Sequence, residues 1–337
     1  MNLIWLAAGI VLLVIGAELL VRGASRLAIA FGLSPLVVGL TVVAFGTSAP
    51  EFAVSVAAAV RGDPSIAVGN VIGSNIFNVL VILGASSLVC PLLVSSQLIR
   101  TEIPLMILAT FVTWLMAANG VVGRGEGMLL FLALIAYTAW AISKSRREIR
   151  AAVVPAQESR LAQQTIDTSC CTSDGSSLAA PLGSFGHWRA KIGQAVLIGA
   201  GLSLLVFGSH LLVQGAVGIA TALGVSSSVI GLTIVAAGTS LPEVATSLLA
   251  AYRGEKEIAI GNVVGSNLFN LLGVLGATAL VSPIGIQVAP SFLGFDFPAV
   301  SLVALAVLPI AWTGRQVNRW EGASLLVAYV FYVGLLI

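Results

Sequence analysis

Residues 37–85 recur at 229–277, without a gap and at an offset of 192. The first copy reads VVGLTVVAFGTSAPEFAVSVAAAVRGDPSIAVGNVIGSNIFNVLVILGA, the second VIGLTIVAAGTSLPEVATSLLAAYRGEKEIAIGNVVGSNLFNLLGVLGA, and roughly 31 of the 49 positions are identical. Glycines, prolines, glutamates and asparagines stay in step, so one structural unit is used twice. Weaker echoes extend it: Gly16 and Gly208 keep the offset, while TEIP at 101–104 and RGEG at 124–127 match FDFP at 295–298 and NRWEG at 318–322 with small shifts. The chain therefore divides into halves 1–143 and 191–337, joined by 144–190.

The unit is not built for water. Hydrophobic side chains make up 58% of the 337 residues, charged ones 9%, and mean hydropathy is +1.05, whereas soluble domains carry about 25% charged residues. In windows of about 20 residues, the length that crosses a bilayer, ten apolar stretches stand out. They lie near 3–22, 36–60, 66–88, 103–119, 127–143, 191–215, 229–251, 258–281, 297–313 and 321–336. The first lacks the basic start and small-residue cleavage site of a signal peptide and has a partner in the repeat, so it reads as a span. The expected fold is an all-α integral membrane protein of ten transmembrane helices. Five per half is an odd number, so the second half enters the membrane from the opposite side, as an inverted repeat of the kind found in secondary transporters.

With both termini outside the cell membrane, Arg22, Arg26, Arg100, Arg253, Lys256, Arg315, Arg319 and the cations of 144–191 all fall inside, and only Arg61 and Arg124 fall outside. That bias selects the orientation. The linker 144–190 is then cytoplasmic, and its run TSCCTSDGSSLAAPLGS reads as mobile chain. KSRREIR at its start serves as a stop-transfer segment or rests on anionic headgroups. A net charge of +2 argues against nucleic acid as a partner. Two histidines and three cysteines (Cys90, Cys170, Cys171) offer neither a nitrogen–sulfur metal site nor a disulfide framework.

The chemistry sits in Gly46-Thr47-Ser48-Ala49-Pro50-Glu51 and its copy Gly238-Thr239-Ser240-Leu241-Pro242-Glu243, both inside apolar spans. Proline lacks an N–H and clashes with the carbonyl four residues back, so each helix should open around Gly46 to Ser48 and Gly238 to Ser240. At membrane depth, freed carbonyls persist only where they line a cavity or meet a partner. Glu51 follows Thr47 by four residues and Ser48 by three, which places carboxylate and hydroxyls on one helix face. In the next span Asn70, Ser74 and Asn78 are spaced by four, as are Asn262, Ser266 and Asn270, adding neutral oxygen donors in a slowly drifting stripe. Asn75 and Asn267 fall on another face and are expected to make structural hydrogen bonds. Hard oxygens of this kind suit Ca²⁺ or Na⁺ rather than zinc or copper. A carboxylate at membrane depth costs roughly 2.5–3.5 kcal/mol on insertion scales, and Glu51 and Glu243 together carry a charge of −2 that one Ca²⁺ or two to three Na⁺ would meet.

These motifs resemble the cation/calcium exchanger superfamily, close to its prokaryotic sodium/calcium exchangers, whose repeats carry G-T-S-x-P-E followed by G-N-x-x-G-S-N. The resemblance covers essentially the whole chain outside the linker. It implies that Glu51 and Glu243 are the central calcium carboxylates, that Thr47, Ser48, Thr239 and Ser240 add oxygens, and that Ala44 and Ala236 contribute backbone carbonyls. It also implies that Asn78 is a central ligand and that Ser74 and Ser266 are sodium ligands. The implied mechanism is alternating access exchanging roughly three Na⁺ for one Ca²⁺, with spans 1 and 6 as sliding gate helices. Two departures bear on coupling. Position 270 is aspartate in the archaeal member of known fold and in the potassium-dependent branch, and asparagine here, which argues against a potassium requirement. Proton-coupled relatives carry G-N-x-x-E, where both motifs here read G-N-V-(I/V)-G, which favours Na⁺ over H⁺.

A passive cation channel, a ten-span metabolite exporter and a membrane enzyme are the competing classes. The last fits worst, since no nucleophile has a credible base by spacing. No cofactor and no obligatory protein partner is expected, only inorganic cations and membrane lipid. Glu18 is expected to pair with Arg22, and His210, at the same repeat position, to be a hydrogen-bonded structural histidine. Glu102 and Asp296, just before Pro104 and Pro298, read as helix caps.

Overall fold

The computed structural model describes residues 2–62, 65–168, 184–224 and 236–336. The first half contains α1 (Asn2–Phe31), α2 (Pro35–Thr47), α3 (Ala49–Arg61), α4 (Ile66–Val89), α5 (Leu98–Ala117) and α6 (Arg124–Thr168). The second contains α7 (Ser184–Ala222), α8 (Ala236–Thr239), α9 (Leu241–Tyr252), α10 (Lys256–Val281), α11 (Phe292–Arg315) and α12 (Arg319–Leu336). Ser34 starts α2 in the way its sequence dictates: its hydroxyl accepts the Val37 N–H at 3.3 Å, and Pro35, which has no N–H to satisfy, occupies the first turn.

Seven helices among the described residues are long and apolar enough to cross a membrane, and α2 with α3, bent by 46°, forms an eighth. The two remaining expected spans are 229–251, of which 229–235 lie outside the described residues, and 321–336, which falls in the 18-residue α12.

The inversion of the halves is visible where they meet. On α1 and its repeat counterpart α7, a methyl group on Gly9 would meet the Gly208 carbonyl, one on Gly16 the Gly201 carbonyl, and one on Gly23 the Ile198 side chain. Positions rise on one helix as they fall on the other, so the two run antiparallel. At the centre of this seam the backbones nearly touch: Cβ atoms on Gly16 and Gly201 would lie 2.8 Å from each other's carbonyl oxygen. Short strands repeat the symmetry. β1 (Leu92–Leu93) pairs antiparallel with β4 (Gln316–Val317), and β2 (Val121–Val122) with β3 (Ile286–Gln287), each joining connections that the ten-span layout assigns to the same side. Glu18 pairs with Arg22, as expected, and also with Arg253 at 2.7 Å beyond α9. His210 is exposed and lies 2.8 Å from the Gln214 amide one turn on.

Two sequence expectations change. The segment after residue 143 is not loop: α6 continues to Thr168, because 144–168 is rich in Ala, Arg, Glu and Gln, which favour helix. The Ser- and Gly-rich run 169–183, with Cys170 and Cys171, lies outside the described residues. Glu102 and Asp296 stand at the N-cap positions of regular helix but make no cap hydrogen bond. The fully buried Glu102 instead accepts from Tyr137 Oη at 2.6 Å and Gln97 Nε2 at 3.0 Å, and Asp296 accepts from Tyr332 Oη at 3.2 Å. A one-turn π-helical widening precedes each (Leu98–Glu102, Phe292–Asp296), which turns the carboxyl toward the neighbouring helix rather than its own first N–H groups.

The core of the bundle is α10, buried along its whole apolar window, beside α4, buried over two thirds of its own. The broken helices α2–α3 and α8–α9 pack on this pair, and α1 with α7 lies outside them. Gly201→Val should force α1 from α7 and cost about 1–3 kcal/mol, the usual penalty of overpacking. Thermal unfolding of the purified protein measures it, and an unchanged midpoint would show that the seam yields freely.

Candidate cation site

Both broken helices open at the same repeat position. Ser48 has φ −80° and ψ 9°, Ser240 φ −88° and ψ 7°, and Pro50 and Pro242 sit in the first turn of α3 and α9. The carbonyl that Pro242 deprives of its donor belongs to Gly238, and Ser209 Oγ on α7 takes it over at 2.5 Å. Ala44 O is already engaged, by the Ser48 N–H at 3.0 Å and the Thr47 hydroxyl at 3.4 Å. Ala236 opens α8.

The carboxylates do not pair with the hydroxyls of their own helix. Ser240 Oγ donates to Glu51 Oε1 at 2.9 Å, and Ser48 Oγ donates to Glu243 Oε1 at 2.8 Å. Thr239 likewise lies against Glu51, and Thr47 against Glu243. Helix spacing placed Glu51 with Thr47 and Ser48. The bend at Ser48 sends those hydroxyls across the pseudo-twofold axis instead, so each half-site is completed by the other repeat.

The α4 and α10 residues come to the same place. Ser74 Oγ lies 3.3 Å from Ser240 Oγ. Asn78 Nδ2 donates to Asn267 Oδ1 at 3.0 Å, and Asn270 Nδ2 donates to Asn75 Oδ1 at 3.2 Å. Asn75 and Asn267 thus make the structural bonds expected of them. Asn70 and Asn262, expected among the oxygen donors, are struts: their amides donate to Ser55 Oγ and Ser247 Oγ, both at 2.9 Å, and to the backbone carbonyls of Glu51 and Glu243. Asn262 Oδ1 also accepts from Thr47 at 3.2 Å. Ser55, Ser247 and Ser209 were missed from the sequence. The first two carried a signal, being polar residues kept at the repeat offset inside apolar spans.

Of the eleven buried side-chain atoms without a hydrogen-bond partner among the described residues, five lie on the motif residues. Glu51 Oε2, Glu243 Oε2, Asn78 Oδ1, Asn270 Oδ1 and Ser266 Oγ are buried with no hydrogen-bond partner. An orphaned buried acceptor costs about 1–3 kcal/mol, more when charged. All five are hard oxygens, and four are acceptors of the kind that binds Ca²⁺ or Na⁺. No three His, Cys, Asp or Glu side chains cluster among the described residues. Glu51 and Glu243 are each 1% exposed, and Thr47, Ser48, Ser240, Ser266 and Asn270 no more, so a cation held here is shut off from water.

The same motifs and fold occur in known proteins. The pattern of the family described as "Sodium/calcium exchanger protein" matches residues 1–143 and 193–337. The chain belongs to that family. Its members are transporters of Ca²⁺ and Na⁺, not enzymes, and work without a cofactor. Sodium/calcium exchanger MaX1 of Methanosarcina acetivorans is 32% identical over 98% of this chain and 97% of its own length. Inner membrane protein YrbG of Escherichia coli is also 32% identical, over 98% and 95%. Among solved structures, the sodium-calcium exchanger NCX_Mj soaked with zero Na⁺ and Ca²⁺ matches with a TM-score of 0.80 at 28% identity, covering 100% of this chain and 99% of that one. A soak of the same exchanger with Na⁺ and Sr²⁺ matches at 0.79.

Because each carboxylate depends on a serine from the other repeat, Ser48→Ala or Ser240→Ala removes the donor to a buried charge. In the absence of Na⁺ and Ca²⁺ either variant should lose about 1–3 kcal/mol of stability, and thermal unfolding that matches the wild type would contradict the cross-bracing.

Proposed function

We propose that this chain exchanges Na⁺ for Ca²⁺ across the cell membrane by alternating access, with net movement of charge. The observation that carries the proposal is the pair of buried carboxylates, Glu51 and Glu243, each with one oxygen bonded across the repeat axis and the other free. Ionised together they hold −2, which one Ca²⁺ neutralises. Na⁺ takes the same oxygens, so either ion displaces the other. With Thr47, Ser48, Thr239, Ser240, Ser74, Asn78, Ser266 and Asn270 as neutral partners, no third acid binds the ions, and exchange of more than two Na⁺ for each Ca²⁺ moves charge. The enclosure of the site supports a cycle in which the ion is released only after the helices around it shift, with the seam of α1 and α7 as the moving element. The distribution of positive residues supports an orientation with both termini outside and the linker 144–190 in the cytoplasm. Glycine at positions 73 and 265, where proton-coupled relatives carry glutamate, supports Na⁺ as the coupling ion.

Reconstituted into proteoliposomes loaded with Na⁺, the protein should take up ⁴⁵Ca²⁺ with a change in membrane potential, and K⁺- or choline-loaded vesicles should not. Glu51→Gln and Glu243→Gln should each abolish uptake while purifying as folded protein. Uptake driven by an acid interior instead would make H⁺ the coupling ion, and flux that persists without any counter-ion would indicate a channel.

A further inference from the structure

Asparagine is an ambiguous ligand. Its amide end presents an acceptor or a two-proton donor of nearly the same shape, and only the oxygen can bind a cation. Asn78 and Asn270, both 1% exposed, each keep Oδ1 free, and the reason lies in the two asparagines next to them. Asn267 Oδ1 takes the Asn78 amide N–H at 3.0 Å, and Asn75 Oδ1 takes that of Asn270 at 3.2 Å. The reversed rotamer of Asn78 or Asn270 would set oxygen against oxygen and put N–H groups where the free Oδ1 now stands.

Asn75 and Asn267 are themselves held. Asn75 Nδ2 donates to the backbone carbonyl of Asn267 at 3.3 Å, which leaves its Oδ1 to face Asn270. Asn267 Nδ2 donates to Met106 Sδ on α5 at 3.4 Å, a weak acceptor that nonetheless leaves its Oδ1 to face Asn78. The bonds cross between the repeats: Asn75 on α4 orients Asn270 on α10, and Asn267 on α10 orients Asn78 on α4.

We infer that Asn75 and Asn267 are positioning residues that fix the ligand amides of Asn78 and Asn270 oxygen-inward, and so set the affinity of the site for cations without touching them. The inference rests on the reading of the site given above. It also explains why residue 270 can be an amide in this chain: Asn270 has an N–H to place, and Asn75 is the acceptor for it.

A carboxylate at position 270 presents oxygen whichever way it turns and needs no orienting partner. The test is therefore a double-mutant cycle. Asn75→Ala in the otherwise native chain should raise the Ca²⁺ concentration for half-maximal uptake by on the order of tenfold, the equivalent of one lost buried hydrogen bond. In the Asn270→Asp background the same substitution should change it by less than about threefold. Asn267→Ala should behave as Asn75→Ala does, and pairing it with Asn78→Asp should suppress its effect. The increase in unfolding temperature produced by Ca²⁺ in detergent provides a second readout, and unfolding without ions separates loss of fold from loss of affinity. An equal effect in both backgrounds, or none in the native one, overturns the positioning role while leaving the transport reading intact. A wild-type protein that neither moves Ca²⁺ nor is stabilised by it overturns the transport reading, and the inference with it.

Discussion

Two carboxylates buried in the same apolar bundle, Glu51 and Glu243, constrain everything around them. In water each would be solvated. Here each has a serine on one oxygen and nothing on the other. Two like charges in a low-dielectric interior repel strongly and stay ionised together only with a counter-charge between them. Among the described residues no Lys, Arg or His forms an ion pair with either carboxylate, which fits a site whose counter-charge is a bound cation.

The architecture follows from delivering those carboxylates in pairs. The prolines open α2–α3 and α8–α9 at Ser48 and Ser240, and the bend aims each serine at the carboxylate of the opposite repeat. Asn70 with Ser55, and Asn262 with Ser247, then tie each glutamate helix to its neighbour. The glycine seam of α1 and α7 is close backbone contact, whereas among the described residues the side-chain hydrogen bonds from these two helices to the site helices are few. Ser209 to Gly238 is one; near the end of α9, Glu18 to Arg253 and Ser25 to Glu255 are others. Two helices joined to each other along their backbones suit the role of moving element proposed for them.

Much of this was legible in the sequence because duplication doubles the signal. A gapless repeat reveals the inverted architecture, and proline beside glutamate in an apolar span reveals both the break and its purpose. Spacing, however, ranks residues along one helix. It grouped Glu51 with Thr47 and Ser48, and could not show that the bend hands those hydroxyls to Glu243. The same limit hid the orienting bonds of Asn75 and Asn267, whose partners are 195 and 189 residues away. Glu102 and Asp296 look like caps from their prolines, and only the π-helical turn before each, with Tyr137 and Tyr332 opposite, accounts for where they point.

Na⁺ and Ca²⁺ are expected to compete for one set of oxygens built by both repeats. Calorimetric titration of the detergent-solubilised protein with Ca²⁺, at a series of Na⁺ concentrations, tests it most directly. Saturable Ca²⁺ binding that weakens steeply as Na⁺ rises, and that disappears in Glu51→Gln and Glu243→Gln alike, is the predicted result. Binding indifferent to Na⁺, or surviving the loss of either glutamate, would contradict a shared site.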